Sequence, residues 1–145
     1  MKKSLCAILV SLLAFSYAGD VSPTISLRVN DMLGGLEFAS PVIGLKMSIA
    51  DGVSSGFDAH TENDGTNTTI SSRIYLERSY GRIGLGTYAS TINASGLAAP
   101  DNGKPYFTIG TSYSAYANLD VDLEYVVNSL AAAGDKLQLS LTVGF

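Results

Sequence analysis

The last ten residues, Lys136-Leu-Gln-Leu-Ser-Leu-Thr-Val-Gly-Phe145, decide the fold class of this chain. Every second residue is apolar, so one face of an extended segment would carry Leu137, Leu139, Leu141, Val143 and Phe145. The other face would carry Lys136 and small or polar residues. A period of two is typical of a β-strand with one apolar face, whereas a helix needs apolar residues three and four apart. The sequence therefore predicts a strand over residues 136–145.

The same alternation recurs along the chain and predicts an all-β fold. After Gly19 no segment of useful length repeats apolar residues at helical spacing. Ser40-Pro41 is predicted to separate two strands, because proline cannot donate a hydrogen bond inside a paired central strand. The eight predicted strands span residues 24–30, 35–40, 42–50, 69–79, 82–89, 106–116, 119–127 and 136–145.

The connections between these strands alternate in length. Short turns are predicted at Ser40-Pro41, Tyr80-Gly81 and Ala117-Asn118, and long loops at residues 51–68, 90–105 and 129–135. Residues 31–34 form one further connection, which is short for an outer loop. Short turns at one end and long loops at the other are typical of a barrel that spans a bilayer. The prediction is therefore an up-and-down antiparallel transmembrane β-barrel of about eight strands.

The N-terminus has the three parts of a secretory signal peptide. Lys2 and Lys3 give the positive part, residues 5–15 the apolar part, and Ser16-Tyr17-Ala18 the small residues before a cleavage site. We therefore predict a signal peptide over residues 1–18 and a single outer-membrane barrel domain over residues 19–145. Loss of two lysines would change the formal net charge from −4 to −6. Such an acidic domain is a poor ligand for nucleic acid, so no nucleic-acid partner is predicted.

Two features of the sequence resemble those of Gram-negative outer-membrane proteins. The alternating residues that end at Phe145 resemble the C-terminal assembly signal of outer-membrane β-barrels, which implies recognition by the barrel-assembly machinery. Three segments are similar in kind and order to segments of the general porins: Gly35-Leu-Glu-Phe38, Ala59-His-Thr-Glu62 leading to Asp64-Gly65-Thr66, and the hairpin from Ile74 to Gly86. Those porins have about sixteen strands, more than residues 19–145 can supply, so no pore residue is carried over from them.

The polar face of each predicted strand would point into the barrel. The interior of an eight-stranded barrel is just wide enough for side chains to fill it, and a buried charge is costly unless it is paired. Equal numbers of acidic and basic residues therefore predict an ion-pair network that plugs the lumen. The predicted lumen-lining charged residues are Arg28, Glu37, Lys46, Arg73, Glu77, Arg82, Asp120, Asp122, Glu124 and Lys136.

The remaining polar and aromatic residues are assigned to loops and rims. Asp58, His60 and Glu62 fall in the predicted loop of residues 51–68. No serine is fixed beside His60, the only histidine, so no catalytic site is predicted. Neither a metal site nor a cofactor is predicted, because the acidic residues near His60 lack the spacing of a calcium loop. Aromatic girdles at the membrane interfaces are predicted from Tyr80, Tyr88, Tyr106, Tyr116 and Phe145.

Three functions remain open at the level of sequence. The first is a porin-like barrel that allows passive or narrow passage of small solutes across the outer membrane. The second is a non-conducting barrel with a charge-plugged lumen and a structural or surface-adhesion role. The third is a soluble exported β-sandwich, because alternation fits that fold equally well. For a barrel the expected partners are outer-membrane lipid, the barrel-assembly machinery and, in the first case, small solutes; the oligomeric state stays open.

Overall fold

The computed structural model describes residues 21–34, 40–63, 67–93, 103–128 and 134–145. Consecutive strands pair antiparallel, and the last strand pairs with the first, so the sheet closes on itself in sequence order. The strands are β1 (Val21–Val29), β2 (Ser40–Ala50), β3 (Val53–Asn63), β4 (Asn67–Arg78), β5 (Gly81–Asn93), β6 (Pro105–Tyr116), β7 (Leu119–Val127) and β8 (Lys136–Gly144).

This closed sheet confirms the predicted fold class, an all-β up-and-down antiparallel barrel of eight strands. It rules out the alternative of a β-sandwich, since a sandwich consists of two separate sheets. Within the residues that the structure describes, no helix is long and apolar enough to span a membrane. The predicted signal peptide lies outside the described residues.

The register of the eight ladders fixes the stagger of the barrel. From Val21, successive partners around the barrel are Met47, Ser55, Leu76, Ile83, Ile109, Tyr125 and Leu137. Leu137 lies level with Asp31, because Val29 pairs with Leu139. One circuit of the barrel therefore begins at residue 21 and ends level with residue 31. The stagger between the first and last strands is ten residues. With about 3.3 Å per residue and 4.8 Å between strands, this stagger tilts the strands by about 40°.

One predicted loop is a strand. Residues 53–63 form β3, whereas only Ser40 of the predicted strand 35–40 is described, and it begins β2. The pattern missed β3 because Phe57 is its only aromatic residue and no leucine or isoleucine accompanies it. β3 is nevertheless extended because β2 and β4 pair with it on both sides. Backbone pairing with two neighbours here outweighs a loop-like composition.

Pro41 lies inside β2 and not in a turn, contrary to the prediction. It pairs with Leu27 of β1, whereas the ladder between β2 and β3 starts only at Val42. Proline is therefore at the second residue of the strand, where the β3 side of β2 has no ladder partner among the described residues. This is a position at which a missing N–H group is tolerated.

Short turns share one end of the barrel, as predicted, but the turn predicted at Ser40-Pro41 is wrong, because these residues begin β2 at the other end. Asp51-Gly52, inside the predicted long loop, forms a short turn instead. The short turns are Asp51-Gly52, Ser79-Tyr80 and Ala117-Asn118, and the same end, which we name the turn end, holds Val21 and Phe145. The opposite end, named the loop end, has connections over residues 30–39, 64–66, 94–104 and 128–135. The turn predicted at Tyr80-Gly81 lies one residue earlier, and its left-handed residue is Ser79, with φ of 54°.

The outward face of the barrel is apolar. Ile74, for example, is 59% exposed and lies between Phe57 of β3 and Leu85 of β5. Buried hydrophobic side chains, by contrast, are few among the described residues: Val42, Tyr75, Tyr88, Tyr106 and Val126. This arrangement is the reverse of that in an ordinary soluble domain. The exposed apolar residues, which we name the outer belt, are Ile25, Leu27, Ile43, Met47, Ile49, Phe57, Ile70, Ile74, Leu76, Ile83, Leu85, Phe107, Ile109, Leu123, Leu141 and Val143.

Candidate functional site: the charged lumen

The inward face of the barrel is polar and charged. Because side chains of a strand alternate between two faces, the outer belt on one face places the polar residues of the same strands inside. The structure puts the predicted Arg28, Arg73, Arg82, Asp122 and Glu124 in the buried interior. Lys46, Glu77 and Asp120 are partly buried and take part in ion pairs there. Lys136 is half-buried on the Gln138 face of β8, and Glu37 lies outside the described residues.

The first group of ion pairs spans the lumen near its middle. The Arg73 guanidinium donates hydrogen bonds to Asp58 of β3 on one side and to Glu124 of β7 on the other, with Nη1 2.7 Å from Glu124 Oε2. Asp58 Oδ2 also accepts a hydrogen bond from Arg28 Nη2 at 3.2 Å. Arg28 Nε in turn donates to Ser140 Oγ of β8 at 3.0 Å. These contacts join strands on opposite sides of the barrel through buried groups.

The second group continues the network toward the turn end. Arg82 Nη2 lies 2.8 Å from Glu77 Oε2, and Arg82 Nη1 lies 2.9 Å from Asp122 Oδ2. Lys46 Nζ then bridges Glu77 and Asp120, at 2.9 and 3.0 Å. Arg82 and Lys46 therefore share the Glu77 carboxylate. Because buried charges are tolerated only when paired and hydrogen-bonded, these contacts explain how so many charges fit inside.

An aromatic ring lies near two of the guanidinium groups of this network. The Arg82 guanidinium carbon lies 4.3 Å from the centroid of the Tyr75 ring, and that of Arg73 lies 5.5 Å from it. A guanidinium at this distance from a ring face is attracted to it electrostatically. Tyr75 is itself buried. The ring thus fills space between the two groups of ion pairs without adding a charge.

Asp58 and His60 are two lumen residues that the sequence prediction placed in a loop. Both are buried on the inward face of β3. The prediction was wrong for both residues because it missed the strand. Alternation within 53–63 would have placed them on the same face of the strand as Gly56. With Asp58 included, ion pairs between described residues join four basic side chains to five carboxylates: Arg28, Lys46, Arg73 and Arg82 with Asp58, Glu77, Asp120, Asp122 and Glu124.

Two of the five predicted girdle residues are inside the barrel. Tyr88 and Tyr106 are buried, with ring centroids 4.9 Å apart. Tyr88 OH donates to Asn128 Oδ1 at 2.8 Å, and Tyr106 OH shares a hydrogen bond with Ser71 Oγ, also at 2.8 Å. Their position could have been predicted, since both occupy the inward parity of strands whose leucine or isoleucine residues face out. Tyr80, Tyr116 and Phe145 are strongly exposed at the turn end.

Glycines on the inward face make room for two of the tyrosine rings. Gly56 lies directly opposite Tyr75, and Gly86 directly opposite Tyr106, in neighbouring strands. A Cβ atom on either glycine would overlap the facing ring. Neither glycine has a positive φ. The absence of a side chain, and not backbone freedom, therefore explains glycine at these two positions.

We expect Gly86→Ala to destabilise the folded barrel by about 1–3 kcal/mol, because the added methyl group must displace the Tyr106 ring from its hydrogen bond with Ser71. Urea unfolding followed by gel mobility would measure the change. Gly144→Ala is the matched control, since nothing lies near its Cβ position. Equal stability of the two variants would contradict the role assigned to Gly86.

Among the described contacts of the lumen, the histidine bonds an arginine and not a serine. Ser71 lies opposite His60 across the β3–β4 ladder, and Asp58 precedes His60 by two residues. However, His60 Nδ1 faces Arg28 Nη1 at 3.2 Å, and the fully buried Ser71 hydroxyl bonds Tyr106. An arginine nitrogen only donates, so in this contact His60 Nδ1 accepts. In the described part of the chain, no group of three or more His, Cys, Asp or Glu residues is placed to hold a metal ion.

The predicted assembly-signal residues form β8 and its end. Leu141 and Val143 are exposed on the outer face, and Leu137 and Leu139 share that face but are half-buried. Phe145 follows the strand at the turn end; the residue is 71% exposed, and its N–H donates to the Pro23 carbonyl at 3.0 Å.

Comparison of the chain with family models, curated proteins and solved structures gave no match.

Proposed function

We propose that this protein is an integral outer-membrane barrel with a closed lumen, which anchors its loop end at the cell surface. The observation that carries the proposal is the polarity of the barrel. The outer belt surrounds the barrel, and its residues are exposed in the isolated chain. A monomeric soluble protein rarely exposes a continuous apolar patch of more than a few hundred Å², whereas lipid would cover such a belt.

The length of the strands supports the same proposal. β2 to β6 have 11 to 13 residues each, and β1, β7 and β8 have 9. A strand needs about 9–11 residues to cross the hydrocarbon core at a tilt of about 45°. Closure of the sheet also leaves no unpaired edge within the barrel wall, as lipid requires. The exposed Tyr80, Tyr116 and Phe145 at the turn end suit an interfacial girdle.

The contents of the lumen favour a non-conducting role over passage of solutes. Arg73 bridges Asp58 and Glu124 across the interior, and all three side chains are buried. An ion or solute would have to separate these pairs to pass, which leaves charges unpaired in a low-dielectric interior. The proposed role is therefore structural or surface-adhesive, and the porin-like alternative requires the network to rearrange.

Two measurements test this proposal. Membrane fractionation, with gel mobility before and after heating, is expected to show a membrane-bound protein that needs detergent for extraction. Planar-bilayer recordings of the refolded protein are expected to show no stable conductance steps. A freely soluble protein would overturn the membrane assignment. Steady unitary currents would instead favour narrow passage of small solutes and overturn the closed lumen.

Deletion of Phe145 is expected to reduce the amount of folded protein in the outer membrane severalfold. The proposal assigns the alternating residues Leu137 to Phe145 to recognition by the barrel-assembly machinery, after export by the predicted signal peptide. Quantitative blotting of heat-modifiable protein in membrane fractions measures the effect. Phe145→Tyr, which keeps an aromatic terminus, is the control. Normal assembly of the truncated chain would contradict the assigned role.

A further inference from the structure

The turn end of the lumen opens into a vestibule of about 280 Å³. Its polar lining comes from several strands and the Ala117-Asn118 turn and includes Thr24, Lys46, Ser114, Asn118 and Asp120, and the exposed Phe145 also lines it. Small-molecule sites commonly measure about 300–1,000 Å³. This vestibule is slightly smaller than the sites in that range, which suits a ligand of one ring.

The inner wall of the vestibule holds a fixed donor beside a fixed acceptor. Asp120 accepts hydrogen bonds from Ser114 Oγ at 2.6 Å and from Lys46 Nζ at 3.0 Å. A carboxylate offers about four acceptor positions, so Asp120 keeps capacity for a ligand. Lys46 donates to Glu77 and Asp120, and a lysine has three N–H groups. Both side chains are partly exposed, at 23% for Lys46 and 17% for Asp120, so a ligand in the vestibule could reach them.

This pair of groups discriminates between classes of ligand. An anion near Lys46 would be repelled by the carboxylates of Asp120 and Glu77. A cation near Asp120 would be repelled by Lys46. A hydroxyl group donates and accepts at once, so neighbouring hydroxyls match a carboxylate beside an ammonium. The exposed Phe145 adds an apolar surface to the same vestibule. The lining therefore suits a ligand with hydroxyls on its rim and C–H groups on its face.

We propose that the vestibule binds a neutral polyhydroxylated ligand of one ring, such as a monosaccharide or a cyclic polyol, with Asp120 and Lys46 as its polar anchors. The ligand binds at the turn end and does not pass the ion pairs of Arg82 and Arg73. The site therefore requires no conducting lumen. It also depends only on the folded barrel, so binding can be tested apart from membrane location.

The test is a titration of the full folded chain, in a detergent without a sugar headgroup, with glucose and with myo-inositol, followed by NMR. We expect saturable shifts at Lys46, Ser114, Asp120 and Phe145. Asp120→Asn is expected to weaken binding about tenfold, because a charged acceptor is lost. Ser114→Ala, which removes only the hydroxyl that orients Asp120, is expected to weaken it less. Asp135→Asn, the same change at the loop end, is the matched control.

Two results of the titration would overturn the proposal. One is the absence of saturable shifts with both glucose and myo-inositol. The other is an affinity of the Asp120→Asn variant equal to that of the Asp135→Asn control. Sodium acetate and tetramethylammonium chloride serve as ionic probes of small size. Tighter binding of either ion than of glucose and myo-inositol would overturn the assignment to a neutral hydroxylated ligand.

Discussion

Arg73→Met is expected to destabilise the folded barrel by about 3–5 kcal/mol. Arg73 is fully buried and donates hydrogen bonds to both Asp58 and Glu124. Methionine fills much of the same volume but leaves both carboxylates without their shared cation. Asp58 would keep Arg28, whereas the nearest remaining cation to Glu124 is Arg82, at 3.8 Å. The loss therefore reflects the burial of an uncompensated charge more than the intrinsic strength of the removed pairs.

Lys46→Met is the matched control for this experiment. It also removes one cation that bridges two carboxylates, Glu77 and Asp120, but Lys46 lies at the vestibule and is partly exposed. Water can then solvate the released carboxylates, so the loss is expected to be about 1 kcal/mol or less. Urea titration of both variants, read from gel mobility and tyrosine fluorescence, gives the two free energies of unfolding. Similar losses for the two variants would show that burial within the lumen is not what makes Arg73 important.

A second-site change separates charge from packing at the same position. Adding Glu124→Gln to Arg73→Met is expected to restore part of the lost stability, because the carboxylate left with the poorest compensation becomes neutral. If the loss came only from the shape of the arginine side chain, the double variant would be no more stable than Arg73→Met alone. Non-additivity is expected, since the two residues are in direct contact.

The same alternation of side chains explains how much of this structure the sequence could predict. Large apolar residues at every second position of β8, β7 and β4 identified both the strands and their inward faces. Arg73, Asp122 and Glu124 were therefore assigned to the lumen by parity alone. The pairs they form depend on the stagger between strands, and strand registers cannot be read from alternation within one strand. The bridge from Asp58 through Arg73 to Glu124 is thus a property of the closed barrel.

β3 shows where prediction from the pattern fails. Its residues 53–63 are mostly small or polar, and Gly56 is present because the facing Tyr75 ring occupies the space of a side chain. Read from the sequence alone, this glycine indicates a loop. In the barrel it instead marks a position where a neighbouring ring packs closely against the backbone. The same reasoning applies to Tyr88 and Tyr106, which look like girdle residues from their place near strand ends. Their inward parity decides their location, and their tilted rings lie in contact inside the barrel.

Ile74→Arg is the change expected to have the largest effect on the outer face. Ile74 is exposed at the middle of the outer belt, between Phe57 and Leu85, and contributes nothing to the lumen network. If lipid surrounds the belt, arginine at this depth should destabilise the folded barrel by about 2–4 kcal/mol. If water surrounds it, an exposed substitution should change stability by no more than about 0.5 kcal/mol. The measurement is urea unfolding in phospholipid vesicles.

Ile49→Arg is the matched control, because Ile49 is similarly exposed but lies next to the Asp51-Gly52 turn. Near the membrane interface the same substitution is expected to cost about 0–1 kcal/mol, since the guanidinium can reach the headgroups. A larger loss for Ile74→Arg than for Ile49→Arg in vesicles would report depth in a bilayer directly. Equal, small losses in the free energy of unfolding for the two variants would contradict the membrane assignment. They would not contradict the barrel fold, because both residues point away from every buried contact that holds the barrel together.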